Sequence, residues 1–253
     1  MPELNKANRQ VCDVDIRILK TKAPFLKFDT ANTTTAGVTS DSVYAMAKGT
    51  RRIAFQNPME GTMTIEAQVY PFKFFALLSD GTISSEAVYA EHRTIKCTAA
   101  GKLPLSLSDG AVESSGLFVY PAGKFGDDAS AIKNPTYSNN EITATAGLVA
   151  DSEYEVGFIV KRTSGVKKIT FRNDKLPQDY FITMQTLDKD EEGTLTPFLI
   201  TAYKATIQRS FELSFSSEGD PASVTLTFDL LEDEDGNMLD MVEIEDELEV
   251  NPT

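Results

Sequence analysis

The chain of 253 residues is short of positive charge, cysteine, histidine and tryptophan. Its 24 Lys and Arg residues face 38 Asp and Glu residues, a formal net charge of −14, which argues against an ordinary basic nucleic-acid-binding protein. The two cysteines, Cys12 and Cys97, are too few for a disulfide-stapled secreted scaffold, and neither belongs to a Cys-x-x-Cys pair. This cysteine usage fits a reducing compartment.

Long apolar runs and targeting signals are also missing. The longest apolar cluster, Tyr70 to Leu78, is interrupted by Lys73 and falls short of the ~20 residues that a bilayer demands. The start of the chain, Met1 to Gln10, is polar and is followed by no apolar stretch of the signal-peptide kind. We therefore expect a soluble, cytoplasmically made protein with no membrane partner.

Motifs that carry catalytic chemistry are absent as well. His92 is the single histidine, and the chain has no nucleophile elbow, phosphate loop or dinucleotide fingerprint. The acidic stretch around Gly236 fails as a calcium loop, because Leu231 and Val242 occupy the first and twelfth positions, where carboxylates are needed. The sequence predicts no enzyme, no metal site and no cofactor.

What the chain does contain is alternation with period two and 26 threonines, both typical of half-exposed strands. In Val224 to Leu230 the apolar residues alternate with Thr225, Thr227 and Asp229, and Thr62 to Val69 and Ser210 to Ser216 follow the same pattern. Further strands are predicted at 11–19, 52–56, 94–98, 116–120, 154–161, 168–172, 180–187 and 195–209. We predict a mainly β fold, a β-sandwich or barrel.

One or two short helices are expected beside the strands. Ser40 or Asp41 could cap a helix over Ser42 to Lys48 with Gly49 just past its end, and Pro71 could begin a second helix that runs to Leu78. We predict one β-rich domain over residues 1–253 with an elaborated insertion at about 94–152. The segment 218–253 is acidic: it holds thirteen carboxylates and no Lys or Arg, which leaves 25 acidic and 24 basic residues elsewhere.

The polar faces of the clearest strands carry carboxylates and no cations. Glu66, Glu212 and Asp229 lie on these faces among hydroxyl side chains. Such a surface offers no ammonium or guanidinium group to displace phosphate counterions, so DNA could pass it without adhering. This pattern would suit the inside of a tube, although any half-exposed sheet also has a polar outside.

Several segments of the sequence resemble the major tail tube proteins of long-tailed bacteriophages. The segment that matches best is KATIQRSFELSFSSEGDPAS at 204–223, which continues through TFDLL at 227–231 to DGNM at 235–238. EGTMTIE at 60–66, ALLSDG at 76–81 and LPQDYFI at 176–182 add to it, and the resemblance covers roughly 50–246.

The resemblance implies a small β-sandwich with a flanking helix that forms hexameric rings. These rings would stack into a tail tube with a shared inner β-barrel and an acidic lumen that conducts DNA during ejection. The implied partners are other copies of the chain, a tape measure protein, a tail terminator and baseplate or tail-tip proteins. The protein would be assembled in the bacterial cytoplasm and end in the virion tail.

Two sets of residues follow as candidate sites. We expect a face toward the lumen, made of Glu66, Gln68, Glu212 and Asp229. We also expect Phe25 to Thr39 to be a long loop, loose in the monomer, that orders between subunits through Thr30, Asn32, Thr34 and Thr39. Two other classes stay open: a capsid decoration or other virion structural protein, and a carbohydrate-binding β-sandwich, which the absence of Trp disfavours.

Overall fold

The computed structural model describes residues 5–107, 110–213, 217–219 and 221–244, and it is mainly β with one short helix, as predicted. The chain forms two compact units: unit 1 consists of Met1–Thr82 and Phe171–Thr253, and unit 2 of Ile83–Thr170. The strands of the described residues are, in chain order, β1 Lys6–Ala7, β2 Asp13–Ile18, β3 Pro24–Phe28, β4 Thr33–Thr39, β5 Ser42–Ala47, β6 Thr50–Gln56, β7 Glu60–Ala67, β8 Ala87–Lys96, β9 Leu103–Pro104, β10 Ala111–Pro121, β11 Thr136–Ser138, β12 Glu141–Thr143, β13 Glu153–Arg162, β14 Asp179–Asp190, β15 Leu195–Ile207, β16 Val224–Leu231 and β17 Leu239–Glu243.

Unit 1 is built on a nine-stranded antiparallel sheet. Seven strands follow the order β3-β2-β14-β15-β16-β7-β4, while β1 pairs with β14 and β17 with β15. The two edge strands, β3 and β4, are consecutive in the chain and joined by only residues 29–32. Because so short a connection spans at most roughly 17 Å, the sheet must curl to bring its edges near each other. Over the residues that the structure describes, the sheet does not close into a barrel.

The concave side of this sheet holds the core of unit 1. Successive side chains of a strand point to opposite faces of the sheet, so every second one points inward. Met63 and Ile65 of β7 and Leu226 and Phe228 of β16 are therefore all fully buried. A 3₁₀ helix, Phe72–Leu78, lies against this core and buries Phe74, Ala76, Leu77 and Leu78. Pro71 precedes it in an extended conformation, which confirms the second predicted helix in place and length.

The first predicted helix, Ser42 to Lys48, is wrong. The segment forms β5, which pairs antiparallel with β6. Lys48 and Gly49 between the two strands have positive φ angles of 50° and 79°, as a two-residue hairpin turn with right-handed twist requires. Gly49 therefore supplies a hairpin turn and not a helix C-cap, and local sequence alone does not distinguish the two roles.

Three other strand predictions need correction. Residues 210–213 lie outside any strand and leave Phe211 and Leu213 more than a third exposed, while 214–216 lie outside the described residues. Val69, expected inward, is 68% exposed because β7 ends at Ala67. Residues 168–172 form no strand; Lys168 makes only an isolated bridge to Ser84. In each case the period-two pattern continues past the point where a pairing partner is present.

Unit 2 has its own core between two small sheets. One sheet has the strand order β10-β13-β8 and the other β11-β12-β9. Their inward side chains include Val156, Phe158, Leu103 and Ile142, each 1% exposed or less. Unit 2 begins and ends outside the predicted insertion at 94–152, and the arrangement as one domain with an insertion stays a prediction. Among the described residues no helix is long and apolar enough to span a bilayer.

Gly116 of β10 shows how tightly unit 2 is packed. A Cβ atom at this position would lie 2.6 Å from Cγ1 of Ile159 and 2.8 Å from its Cβ, next to a register shift between β10 and β13. We expect Gly116→Ala to lower the free energy of unfolding by about 1–3 kcal/mol, measured by urea denaturation. Gly37→Ala, where a Cβ meets no atom within 4 Å, is the matched control and should be near neutral. Equal losses for both variants would contradict this account.

Candidate functional site

The candidate site is the convex polar face of four neighbouring strands, β4, β7, β16 and the end of β15. In the antiparallel register Glu66 lies between Thr33 and Thr225, and Thr64 lies between Thr35 and Thr227. We call this surface the threonine–carboxylate face. It consists of Thr33, Thr35, Thr62, Thr64, Glu66, Thr206, Thr225, Thr227 and Asp229.

The alternation of each strand produces this face directly. Because opposite residues of paired strands point to the same side, the burial of Met63, Ile65, Leu226 and Phe228 forces their threonine and acidic neighbours outward. Thr33, Thr35, Thr62 and Thr225 are exposed, while Thr64, Glu66, Thr227 and Asp229 are half-buried. A row of short hydroxyl side chains with few long ones gives a smooth, hydrated surface.

Charge on this face is predominantly negative. Within the described residues neither Glu66 nor Asp229 forms an ion pair; Asp229 Oδ1 instead accepts a hydrogen bond of 2.7 Å from Gln208 Nε2. Asp179, beside the face, accepts a hydrogen bond of 2.7 Å from the Thr206 hydroxyl. Lys204, opposite Leu231 at the margin, is the cation on the same side of β15. A polyanion would therefore find few cationic contacts here.

The next part of the sheet has a different character. Strands β2, β3, β14 and β15 form a groove of about 400 Å³ that contains Asp13, Asp15, Arg17 and Lys27. Arg17 Nε donates a hydrogen bond of 2.8 Å to Asp15, so cations and carboxylates neutralise each other in this groove. The unbalanced negative charge is thus a property of the threonine–carboxylate face and not of the whole sheet.

Only two of the four predicted lumenal residues lie within the strands of this face. Glu66 and Asp229 lie on the same face. Glu66 pairs with Thr225 of β16, so the two acidic residues are four positions apart along that strand. Gln68 is exposed just beyond the end of β7, and its backbone N–H donates to the Asn32 side chain at 2.9 Å. Glu212 is exposed in the segment after β15 that forms no strand, so it is not part of this face.

The expected loose loop, Phe25 to Thr39, is instead two edge strands held by the rest of unit 1. The Thr30 hydroxyl donates to the Val69 carbonyl at 2.7 Å, and the Thr34 hydroxyl accepts the Cys12 N–H at 3.1 Å. The Asn32 N–H donates to the Glu66 carbonyl at 2.8 Å, and the Thr39 hydroxyl to the Glu60 carbonyl at 3.4 Å. Among the described strands β4 pairs only with β7 and is an edge of the sheet, and a role of these residues between subunits stays a prediction.

Catalytic or metal-binding geometry is not found in the described residues. They contain no group of three His, Cys, Asp or Glu side chains that could hold a metal ion. Asp233 of the acidic β16–β17 turn closes the turn itself: its Oδ1 accepts the N–H groups of Asp235 at 3.0 Å and Asn237 at 2.8 Å. The Asn237 N–H lowers the pKa of the Asp233 carboxyl, against a smaller effect of desolvation. Burial raises the pKa of the Cys97 thiol, which disfavours the nucleophilic thiolate.

Sequence reasoning missed some members of the face. Thr206 and its partner Asp179 come from separate strands, β15 and β14, and their contact depends on a pairing that no local pattern reports. Thr33 and Thr35 were hidden in the segment expected to be a loop. The run of three β-branched threonines at 33–35 is the signal that could have identified β4.

Together, the curled sheet and the threonine–carboxylate face define a mainly β protein with a smooth anionic surface that reaches the edge strand β4. Residues 9–244 match the model of the YomU/Tube protein family, and the chain belongs to that family, a family of phage tube proteins. This confirms the resemblance to tail tube proteins. A search of curated proteins finds no match for the chain.

Proposed function

We propose that the protein is the subunit of a phage tail tube, in which copies form rings, six to a ring, that stack into a tube around a DNA-conducting lumen. The threonine–carboxylate face is the observation that carries this proposal, and it would line the lumen. The family supports a structural role in the virion and not an enzymatic one. Assembly would take place in the cytoplasm of the bacterial host.

The position of β4 at the edge of the described sheet supports ring formation. Its outward backbone N–H and C=O groups lie beside the threonine–carboxylate face, and such an edge is a template for a strand from another chain. Pairing in a ring would satisfy these groups and extend the polar face from one copy to the next. An edge contact of this kind is heterologous, so a closed ring results if the rotation between copies completes a circle.

The low content of cations supports a lumen for DNA. Lys and Arg side chains displace the counterions of DNA phosphates, so a surface rich in them would bind DNA and slow its passage. Hydroxyls and carboxylates do not displace these counterions. The tape measure protein, tail terminator and baseplate or tail-tip proteins are the partners that a tail tube would require.

Electron microscopy of the purified protein tests this proposal. Rings or short stacked tubes with a central channel are the expected result. Trimers or monomers at concentrations up to the millimolar range would contradict it and favour a decoration protein.

Reversing the charge of the lumenal face should slow DNA passage without preventing assembly. Glu66→Lys would place one new ammonium group per subunit on the threonine–carboxylate face, and each ring would then offer several phosphate contacts. We expect ejection of DNA from variant phage to slow by roughly tenfold at low salt, with the effect shrinking as salt rises.

Glu113→Lys is the matched control, because Glu113 is exposed on β10 of unit 2 and the charge change is identical. It should leave ejection rates at the wild-type value. Wild-type ejection from normal Glu66→Lys tails would exclude this face as the lumen.

A further inference from the structure

One loop of unit 2 concentrates positive charge in an otherwise acidic protein. Residues 161–168 contain no Asp or Glu and four cations, Lys161, Arg162, Lys167 and Lys168, whereas the whole chain has a net charge of −14. The three lysines are exposed, and none of them forms an ion pair among the described residues. We call residues 161–168 the basic loop.

The backbone fastens the basic loop at both ends. Arg162 pairs with Ala87 of β8, and Lys168 pairs with Ser84 through two backbone hydrogen bonds of 2.9 Å. The loop has five residues between these two pairs, whereas the opposite segment has two, so the excess length loops outward. The opposite segment carries one carboxylate, Glu86, against the four cations of the loop. A loop held in this way loses little conformational freedom when a partner binds.

The turn between β16 and β17 carries the opposite charge. Its four acidic residues are Glu232, Asp233, Glu234 and Asp235, and the segment 218–253 around it has no Lys or Arg. Asp233 Oδ1 closes the turn by accepting hydrogen bonds of 3.0 and 2.8 Å from two backbone N–H groups of the turn itself. Glu232, Glu234 and Asp235 are exposed and form no ion pair within the part of the chain that the structure describes. We call residues 232–238 the acidic turn.

We infer that the basic loop of one copy binds the acidic turn of a neighbouring copy. The inference rests on the proposed function, in which copies of the chain assemble. Charge complementarity selects this partner, because each copy carries one loop and one turn of opposite sign, each held by its own backbone. Complementary charges of this kind steer association and fix the register of the partners. The contact joins two different surfaces and is therefore heterologous, as repeated assembly of identical copies requires.

Two charge-reversed variants test this contact. Lys167→Glu/Lys168→Glu makes the loop acidic, and Glu234→Lys/Asp235→Lys makes the turn basic. Each variant alone would bring like charges together, so the concentration needed for assembly should rise by about a hundredfold at low salt and by less as salt increases. The melting temperature of the free subunit should stay unchanged, because all four side chains are exposed.

An equal mixture of the two variants gives the second readout. The acidic loop of the first variant then meets the basic turn of the second, and the basic loop of the second meets the acidic turn of the first. Alternating copies are complementary at every contact, so the mixture should assemble at the wild-type concentration, as measured by light scattering and electron microscopy. Lys124→Glu/Lys133→Glu, which reverses two exposed lysines elsewhere on unit 2, is the matched control and should assemble alone like wild type.

Three results would contradict this account. Variants that assemble alone as readily as wild type, or a mixture that stays unassembled, would overturn the inference while leaving the proposed function intact. A loop variant that assembles normally but loses affinity for DNA would assign the basic loop to a nucleic acid instead. Failure of the wild-type protein to form rings would overturn the proposed function itself.

Discussion

Phe74→Ala is expected to lower the free energy of unfolding of unit 1 by about 3–5 kcal/mol. Phe74 lies on the inner side of the 3₁₀ helix, is fully buried, and stacks on Phe28 of β3 with ring centroids 5.0 Å apart. Its removal would leave a cavity between the helix and the sheet and would loosen the edge strand β3. Chemical denaturation followed by circular dichroism measures the loss.

Phe72→Ala on the same helix is the matched control. Phe72 is 44% exposed, so its truncation should cost less than about 1 kcal/mol of stability. A Phe72→Ala subunit as unstable as Phe74→Ala would show that the helix packs differently from the arrangement described above.

Removal of most of unit 2 is expected to leave unit 1 folded. We propose that unit 2 is an insertion, since Ser84 and Lys168 form an antiparallel bridge with two backbone hydrogen bonds of 2.9 Å. A pair of this kind can be closed by a two-residue type I′ turn, so residues 85–167 can be replaced by Asn-Gly. We expect the shortened chain to keep a cooperative thermal transition and the strand content of unit 1.

Phe158→Ala in the full chain is the complementary variant. Phe158 is 1% exposed in the core of unit 2, so its loss should destabilise that unit by about 3–5 kcal/mol. Calorimetry should then show an early transition for unit 2 and an unchanged one for unit 1. A single shared transition in Phe158→Ala, or an unfolded shortened chain, would mean that the two units fold as one domain.

Strands β7 and β16 show most clearly what the local sequence pattern predicts about this fold. Both strands were predicted with their buried and polar sides, and Met63, Ile65, Leu226 and Phe228 lie where period two puts them. The same rule failed for 210–213, where apolar residues also alternate but no strand forms. Alternation reports which side of a strand would be apolar, whereas a strand also needs a partner, and partners come from distant parts of the chain.

The hairpin β5–β6 shows a second limit. Ser42 to Gly49 carries cap and stop signals that suit a helix, yet it pairs with β6 through the Lys48–Gly49 turn. Helix and hairpin turn both use glycine at a positive φ angle, and the choice depends on the next strand. The cluster of aromatic rings around Phe75 was equally hidden, because its members Tyr70, Phe171 and Phe211 come from separate segments of the chain.

The sequence by itself determined that this protein is mainly β, acidic and without catalytic motifs, and it carried the resemblance to tail tube proteins. These properties follow from composition, from period-two alternation and from motifs, all of which are local. The tertiary structure decided that β4, β7, β16 and β15 are neighbours, and that Glu66 and Asp229 share one face to which Glu212 does not belong. Strand order and register arise from contacts between distant segments, and those contacts turn scattered threonines and carboxylates into one surface.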